Sequence, residues 1–229
     1  MINKKHLEKA ILLSLLLTNV CRLGGATEYN SPDQNHGDLR ASGTVYDGMI
    51  TGASSDDSTF SSIKTTDDGK VIYSFADGDS VNNTTASWVA QTHSNFENLR
   101  PAIRTASDSD VVIDAGDSLS MSGTTMGYGV VMVGADGAGK LTFNGGKITI
   151  DNKYVEREGY AGGSVIQLKD GKITFNNTET ELGCDGNASE NGILLSGGTE
   201  IVFSEQAEKL TITAVNGCLL YTSDAADEL

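Results

Sequence analysis

The chain has 229 residues, 16 of them Lys or Arg and 31 Asp or Glu, for a formal net charge of −15. So acidic an exterior repels nucleic acid and anionic membrane surfaces, and it excludes both as expected partners. Three cysteines give no disulfide framework, while 27 glycines against two prolines point to many turns between short strands.

Residues 1–26 read as a secretory signal. Lys4, Lys5 and Lys9 form a basic start, Ala10 to Val20 an apolar stretch, and Gly24-Gly25-Ala26 small residues at a cleavage site before Thr27. The apolar stretch is shorter than the roughly 20 residues that cross a bilayer, so removal rather than anchoring is expected. Thr18-Asn19-Val20 also lacks the small residue that a lipid-attachment site wants directly before Cys21. Removal takes Lys4, Lys5, Lys9 and Arg22 against Glu8 alone, so the processed chain carries a net −18. An exported location, at the cell surface or extracellular, follows from this reading.

Residues 27–85 are rich in Gly, Ser, Thr and Asp and only weakly periodic. Thr44 to Tyr46 and Val71 to Phe75 are candidate strands, with turns at Asp67-Asp68-Gly69 and Asp77-Gly78-Asp79. The segment is expected to be loosely structured, a poorly formed first part of a solenoid. Residues 86–105 change character: Trp88, Thr92, Phe96, Leu99 and Ile103 fall at helical spacing. With Pro101 interrupting, this predicts a short helix plus a last turn, placed to cap the open end of a stack.

From Val111 a strand-like phrase returns. Val111-Val112-Ile113, Leu141-Thr142-Phe143, Ile173-Thr174-Phe175 and Ile201-Val202-Phe203 begin at steps of 30, 32 and 28 residues. A second phrase follows in three of the four units: Leu119-Ser120-Met121, Ile148-Thr149-Ile150 and Leu210-Thr211-Ile212. A third precedes the first: Val130 to Val133, Val165 to Leu168, and Ile193 to Leu195. Three short strands per unit at a fixed period describe one turn of an all-β solenoid, whose units bury their apolar faces only by stacking. Val111, Leu141, Ile173 and Ile201 should then form one inward column at about 4.8 Å per turn, with Thr142 and Thr174 outward. Residues 151–163 and 183–192 are long connections on the edge, where binding surface usually sits.

Residues 96–121, from Phe96-Glu97-Asn98-Leu99 through Asp110-Val111-Val112-Ile113-Asp114-Ala115-Gly116, resemble the start of a right-handed parallel β-helix of the pectate-lyase-like kind. Together with the signal, the Gly-rich array resembles the passenger region of Gram-negative autotransporter adhesins, over about half of the chain and by pattern alone. That resemblance implies an outer-membrane anchor supplied by a C-terminal β-barrel, which is missing here. Residues 218–229, Cys218-Leu219-Leu220-Tyr221-Thr222-Ser223-Asp224-Ala225-Ala226-Asp227-Glu228-Leu229, resemble the translation of a sequencing adapter. The repeats over 106–217 therefore read as truncated and residues 218–229 as an artefact. Cys184 is then the one cysteine left between signal and tail.

Two motifs look catalytic and lack their context. Gly116-Asp117-Ser118-Leu119-Ser120 matches the nucleophile block of the GDSL esterases. A serine nucleophile needs a base, and that family's Asp-x-x-His element lies downstream, whereas His93 is the last histidine here. A turn followed by a core Leu119 is the simpler reading. Gly134-Ala135-Asp136-Gly137-Ala138-Gly139-Lys140 resembles a phosphate-binding loop, yet Leu141 stands where a hydroxyl would hold magnesium. A strand rather than a helix follows it, so a Gly-rich turn is expected. His36 and His93 have no ligand partners at metal spacing, and Asp77, Asp79 and Asn82 lack the full calcium-loop series. Asn82, Asn83, Asn176 and Asn187 sit in Asn-x-Ser/Thr sequons, which carry little weight if the source is bacterial, as the resemblance implies.

No catalytic residue, metal site or cofactor is expected. The function expected is that of a non-catalytic, surface-exposed or secreted adhesin-like passenger, presenting loops and a solenoid face to a host or neighbouring-cell protein or glycan, with self-association through unpaired strand edges. The alternative is a secreted polysaccharide lyase or hydrolase on the same fold. It would use Asp114, Asp151, Lys153 and Arg157, if neighbouring turns brought them together to hold calcium or abstract a proton.

Overall fold

The computed structural model describes residues 26–30, 48–52, 60, 62–83, 101–123, 125, 129–135, 137–153, 164–184, 192–213 and 220–222. Among them the protein is all-β, with no helix. The strands begin with β1 (Glu28–Asn30), β2 (Ile63–Thr65), β3 (Val71–Ser74), β4 (Asp79–Asn83), β5 (Ile103–Arg104) and β6 (Asp110–Asp114). They continue with β7 (Ser118–Gly123), β8 (Gly129–Val133), β9 (Gly139–Asn144), β10 (Lys147–Asn152), β11 (Ser164–Leu168) and β12 (Gly171–Phe175). The last are β13 (Glu179–Cys184), β14 (Ile193–Leu195), β15 (Thr199–Phe203), β16 (Lys209–Thr213) and β17 (Leu220–Thr222).

They form three sheets. The first runs β1-β4-β7-β10-β13-β16, the second β5-β8-β11-β14-β17, and the third β2-β3-β6-β9-β12-β15. From β3 onward the chain visits third, first and second sheet in unbroken rotation, and from β6 onward each strand pairs in parallel with the one three earlier. The one antiparallel pair is β2 with β3, at the N-terminal edge of the third sheet. This connectivity is consistent with a parallel β-solenoid.

The register follows the repeats. Val111 pairs with Leu141, Leu141 with Ile173, and Ile173 with Ile201; Val71 extends the same column toward the N-terminus. A second column runs Tyr73, Ile113, Phe143, Phe175, Phe203. Its three phenylalanines stack face to face, at centroid distances of 5.4 and 5.1 Å. The alternation is the one the pleat imposes: in β9, Leu141 and Phe143 are buried while Lys140 is exposed and Thr142 half-buried. Burying each such Leu, Ile or Phe is worth about 1.5–3 kcal/mol, and the core is one continuous cluster along the stack.

Three features depart from the sequence expectation. The third unit has a full strand in the first sheet, β13, where the repeat looked incomplete. Thr180 takes the inward place that Ile148 holds in the turn before. It is buried, and its hydroxyl accepts a 2.8 Å hydrogen bond from Asn177 Nδ2, so a polar residue is tolerated there. The weak segment at 27–85 contributes β1 to β4 and an aromatic cluster in which Phe60 lies 5.1–5.8 Å from Tyr29, Tyr73 and Phe75. Its turn is 40 rather than about 30 residues long (Val71 to Val111), so the period hides it. Ile103, expected as the end of the capping helix, lies in β5 and is fully buried against Val131. The rest of that helix, like the strand at Thr44 to Tyr46, lies outside the described residues.

One corner repeats a side-chain device. Asn83 and Asn152 occupy equivalent positions through Gly123 and are both buried. Asn83 donates to the carbonyl of Pro101 at 2.7 Å, and Asn152 donates to the Thr125 hydroxyl at 2.9 Å. Each amide satisfies the turn that leads from the first sheet to the second, where the backbone leaves its ladder.

Ile173 sits mid-column with no exposed surface. Ile173→Asp places an unpaired carboxylate there, at a cost of several kcal/mol, and should collapse the repeat region. Circular-dichroism melts are expected to show loss of the cooperative transition; an unchanged Tm would contradict the column.

Candidate functional site

With the apolar residues consumed inside, the chemistry on display is the outward row of each sheet. On the first sheet charges alternate from turn to turn. Lys209 lies 2.6 Å from Glu179, and Lys147 lies 2.7 Å from Glu181. On the third sheet, Asp110, Lys140, Lys172 and Glu200 share one register position. Lys172 pairs with Glu200 at 3.1 Å. Lys140 and Lys172 are therefore the like-charged neighbours in this row, at the strand spacing of about 4.8 Å. Among the described residues Lys140 makes no ion pair.

These lysines border a groove of about 240 Å³ at the corner between the second and third sheets, lined by residues 108–110, 138–140, 171 and 172. Gly171 has φ +104, and a Cβ there would collide with the Gly139 carbonyl of the turn below, so the chain comes closer than any other residue allows. One wall is the turn Ala106 to Ser109, closed by a 3.2 Å bond from Ser109 N–H to the Ala106 carbonyl. Asp108 has φ +57 in that turn, the one non-glycine with positive φ among the described residues. Its N–H donates to the Ala138 carbonyl at 2.7 Å, which locks the wall to the neighbouring turn.

The sequence carries a signal for this groove outside the catalytic-looking motifs. Gly139-Lys140-Leu141-Thr142-Phe143-Asn144 and Gly171-Lys172-Ile173-Thr174-Phe175-Asn176 are the same hexapeptide but for Leu and Ile. In register, they set Lys beside Lys, Thr beside Thr, and Asn144 beside Asn176, whose amide donates to Asn144 Oδ1 at 3.2 Å.

Of the candidate catalytic residues, Asp114 and Asp151 lie on different sheets. Asp114 ends β6 on the third sheet, while Asp151 lies near the far end of β10 on the first, in register with Ser122. The strand between that corner and Asp151 measures about 13 Å at ~3.3 Å per residue. Lys153 contacts Asp151 at 3.5 Å, and Arg157 lies outside the described residues. In the esterase-like block, Gly116 has φ +60 in a turn, Leu119 is core, and the Ser118 hydroxyl donates to Asp77 Oδ1 at 2.6 Å. The phosphate-loop-like residues 134–140 link β8 to β9, strand to strand.

Asp79 accepts 2.7 Å bonds from the backbone N–H groups of Thr27 and Ala76, and Asn82 is bonded to Asn30, Ser80 and Ser122. Among the described residues no group of three His, Cys, Asp or Glu could hold a metal ion. His36, His93 and Asn187 fall outside the described residues; of the other sequon asparagines, Asn83 is buried. Among the described residues no helix is long and apolar enough to cross a membrane. No protein-family model matches the chain, and neither a curated protein nor a solved structure matches it.

Two of the exposed pairs shift each other's titration. The hydrogen bond from Lys209, ahead of its Coulomb attraction, holds the Glu179 carboxyl below its ordinary 4.5, and the same bond raises Lys209 above 10.5. At the N-terminal hairpin, Lys70 and then Thr66 hold Asp68 down to about 2. A carboxyl with a lowered pKa contributes stability above its unfolded value and loses it as the pH falls through its folded one. Lys209→Gln is therefore expected to lower the Tm slightly at about pH 6, and by progressively less as the pH falls through the lowered pKa of Glu179. An equal shift at every pH would contradict the pairing.

Proposed function

We propose that this chain is an exported, non-catalytic, adhesin-like passenger. Its strands wind as a right-handed parallel β-helix of the kind its sequence resembles, and it is held at the cell surface through an anchor beyond the repeats. The observation that supports this reading is the lateral register across the turns. It commits apolar side chains to the interior and leaves continuous polar rows and corner loops as the working surface. Such a surface suits adhesion, which needs many modest contacts over a long rigid face rather than one enclosed pocket. The basic-then-apolar start of the sequence supports export.

Beads coated with the purified chain are expected to bind cultured cells or extracellular matrix in a saturable way, and beads carrying the Ile173→Asp variant are expected not to. Binding no greater than that of uncoated beads would contradict the adhesive reading.

A further inference from the structure

The one place in the outward row of the third sheet where like charges adjoin is Lys140 and Lys172, and that place is also the rim of its groove. Two ammonium groups in lateral register repel, and Lys140 makes no ion pair among the described residues, although Asp110 adjoins it in the row. An anion seated between them relieves that repulsion and gains two charge-assisted hydrogen bonds. A bare anion is a poor match for the rest of the groove, because Asp108 and Asp110 also line it, Asp110 as the register neighbour of Lys140 on the side away from Lys172. Carboxylates in that position accept hydrogen bonds from hydroxyl donors. Beyond the lysines, Thr142, Thr174, Asn144 and Asn176 continue the same two rows with more hydroxyl and amide groups.

We propose that this groove is a binding site for one acidic sugar unit of a glycan, its sulfate or carboxylate held between Lys140 and Lys172. Its ring hydroxyls donate to Asp108 and Asp110, and the adjoining sugar lies along Thr142 and Thr174. The volume agrees: about 240 Å³ falls just below the roughly 300–1,000 Å³ of sites for drug-sized ligands, which is room for a single ring. The net charge of −15 sets a further condition. It works against long-range attraction of polyanions, so binding depends on this local pair rather than on the field of the whole protein.

The inference gives the adhesive reading a ligand class and rests on it. The full chain is titrated with a sulfated tetrasaccharide, a galacturonate tetrasaccharide and a neutral maltotetraose, with Lys140→Gln, Lys172→Gln and the control Lys64→Gln compared. At least one acidic probe is expected to bind and the neutral one not. Each groove variant should weaken binding about tenfold or more, and Lys64→Gln should leave it unchanged. Melting curves check the fold: Lys140→Gln is expected not to lower the Tm, and Lys172→Gln, which also gives up the pair with Glu200, to lower it slightly at most.

Sulfate over carboxylate, or the reverse, identifies the group that the lysines hold. No binding of either acidic probe, or binding untouched by both groove variants, overturns the inference. A chain that still adheres to cells in that case leaves the adhesive reading standing. A chain that takes the acidic probe through its lysines and adheres to nothing separates the two the other way.

Discussion

The lateral register of the strands is the constraint on which the other features depend. Parallel pairing places each residue over its counterpart one turn away, about 4.8 Å distant. An inward position is thereby inward in every turn, and an outward one is outward in every turn. Leu141, Ile173 and Ile201 share one column for this reason, and Lys140, Lys172 and Glu200 share the next. A one-residue slip would exchange the two sets, driving lysines into the core and phenylalanines into water. The Phe143-Phe175-Phe203 stack makes that exchange costly in every turn it spans.

Because the core is spent on apolar columns, the protein's chemical variety is confined to outward rows and corners. The corners carry distinct devices: buried amides at Asn83 and Asn152, the close backbone approach of Gly171 to Gly139, and a left-handed Asp108. The rows mostly alternate in charge. Where alternation fails, at Lys140 and Lys172, two like charges adjoin beside a cavity, and the binding inference is built on that coincidence.

Much of the repeat region was legible in the sequence, because burial there follows strict apolar phrases at nearly constant spacing. The legibility fails where the physics allows substitution. Thr180 hides a strand because Asn177 satisfies its hydroxyl inside the core. Phe60, Tyr29 and Phe75 anchor an N-terminal part whose longer turn defeats a search for a fixed period. Ile103 fits a helical stripe on spacing alone, yet its partner Val131 sets it in a strand, since tertiary pairing overrides a short local pattern. The groove was visible only in part. The Gly-Lys-x-Thr-Phe-Asn repetition is plain in the chain, but without the register nothing says that its two lysines stand side by side.

The central claim is that residues 32 positions apart lie directly over one another. Nitroxide labels on cysteines replacing Thr142 and Thr174, with Cys21, Cys184 and Cys218 changed to serine, test it directly. The account predicts strong spin–spin broadening in the doubly labelled chain, lost on unfolding. A spectrum equal to the sum of the two single labels would contradict it.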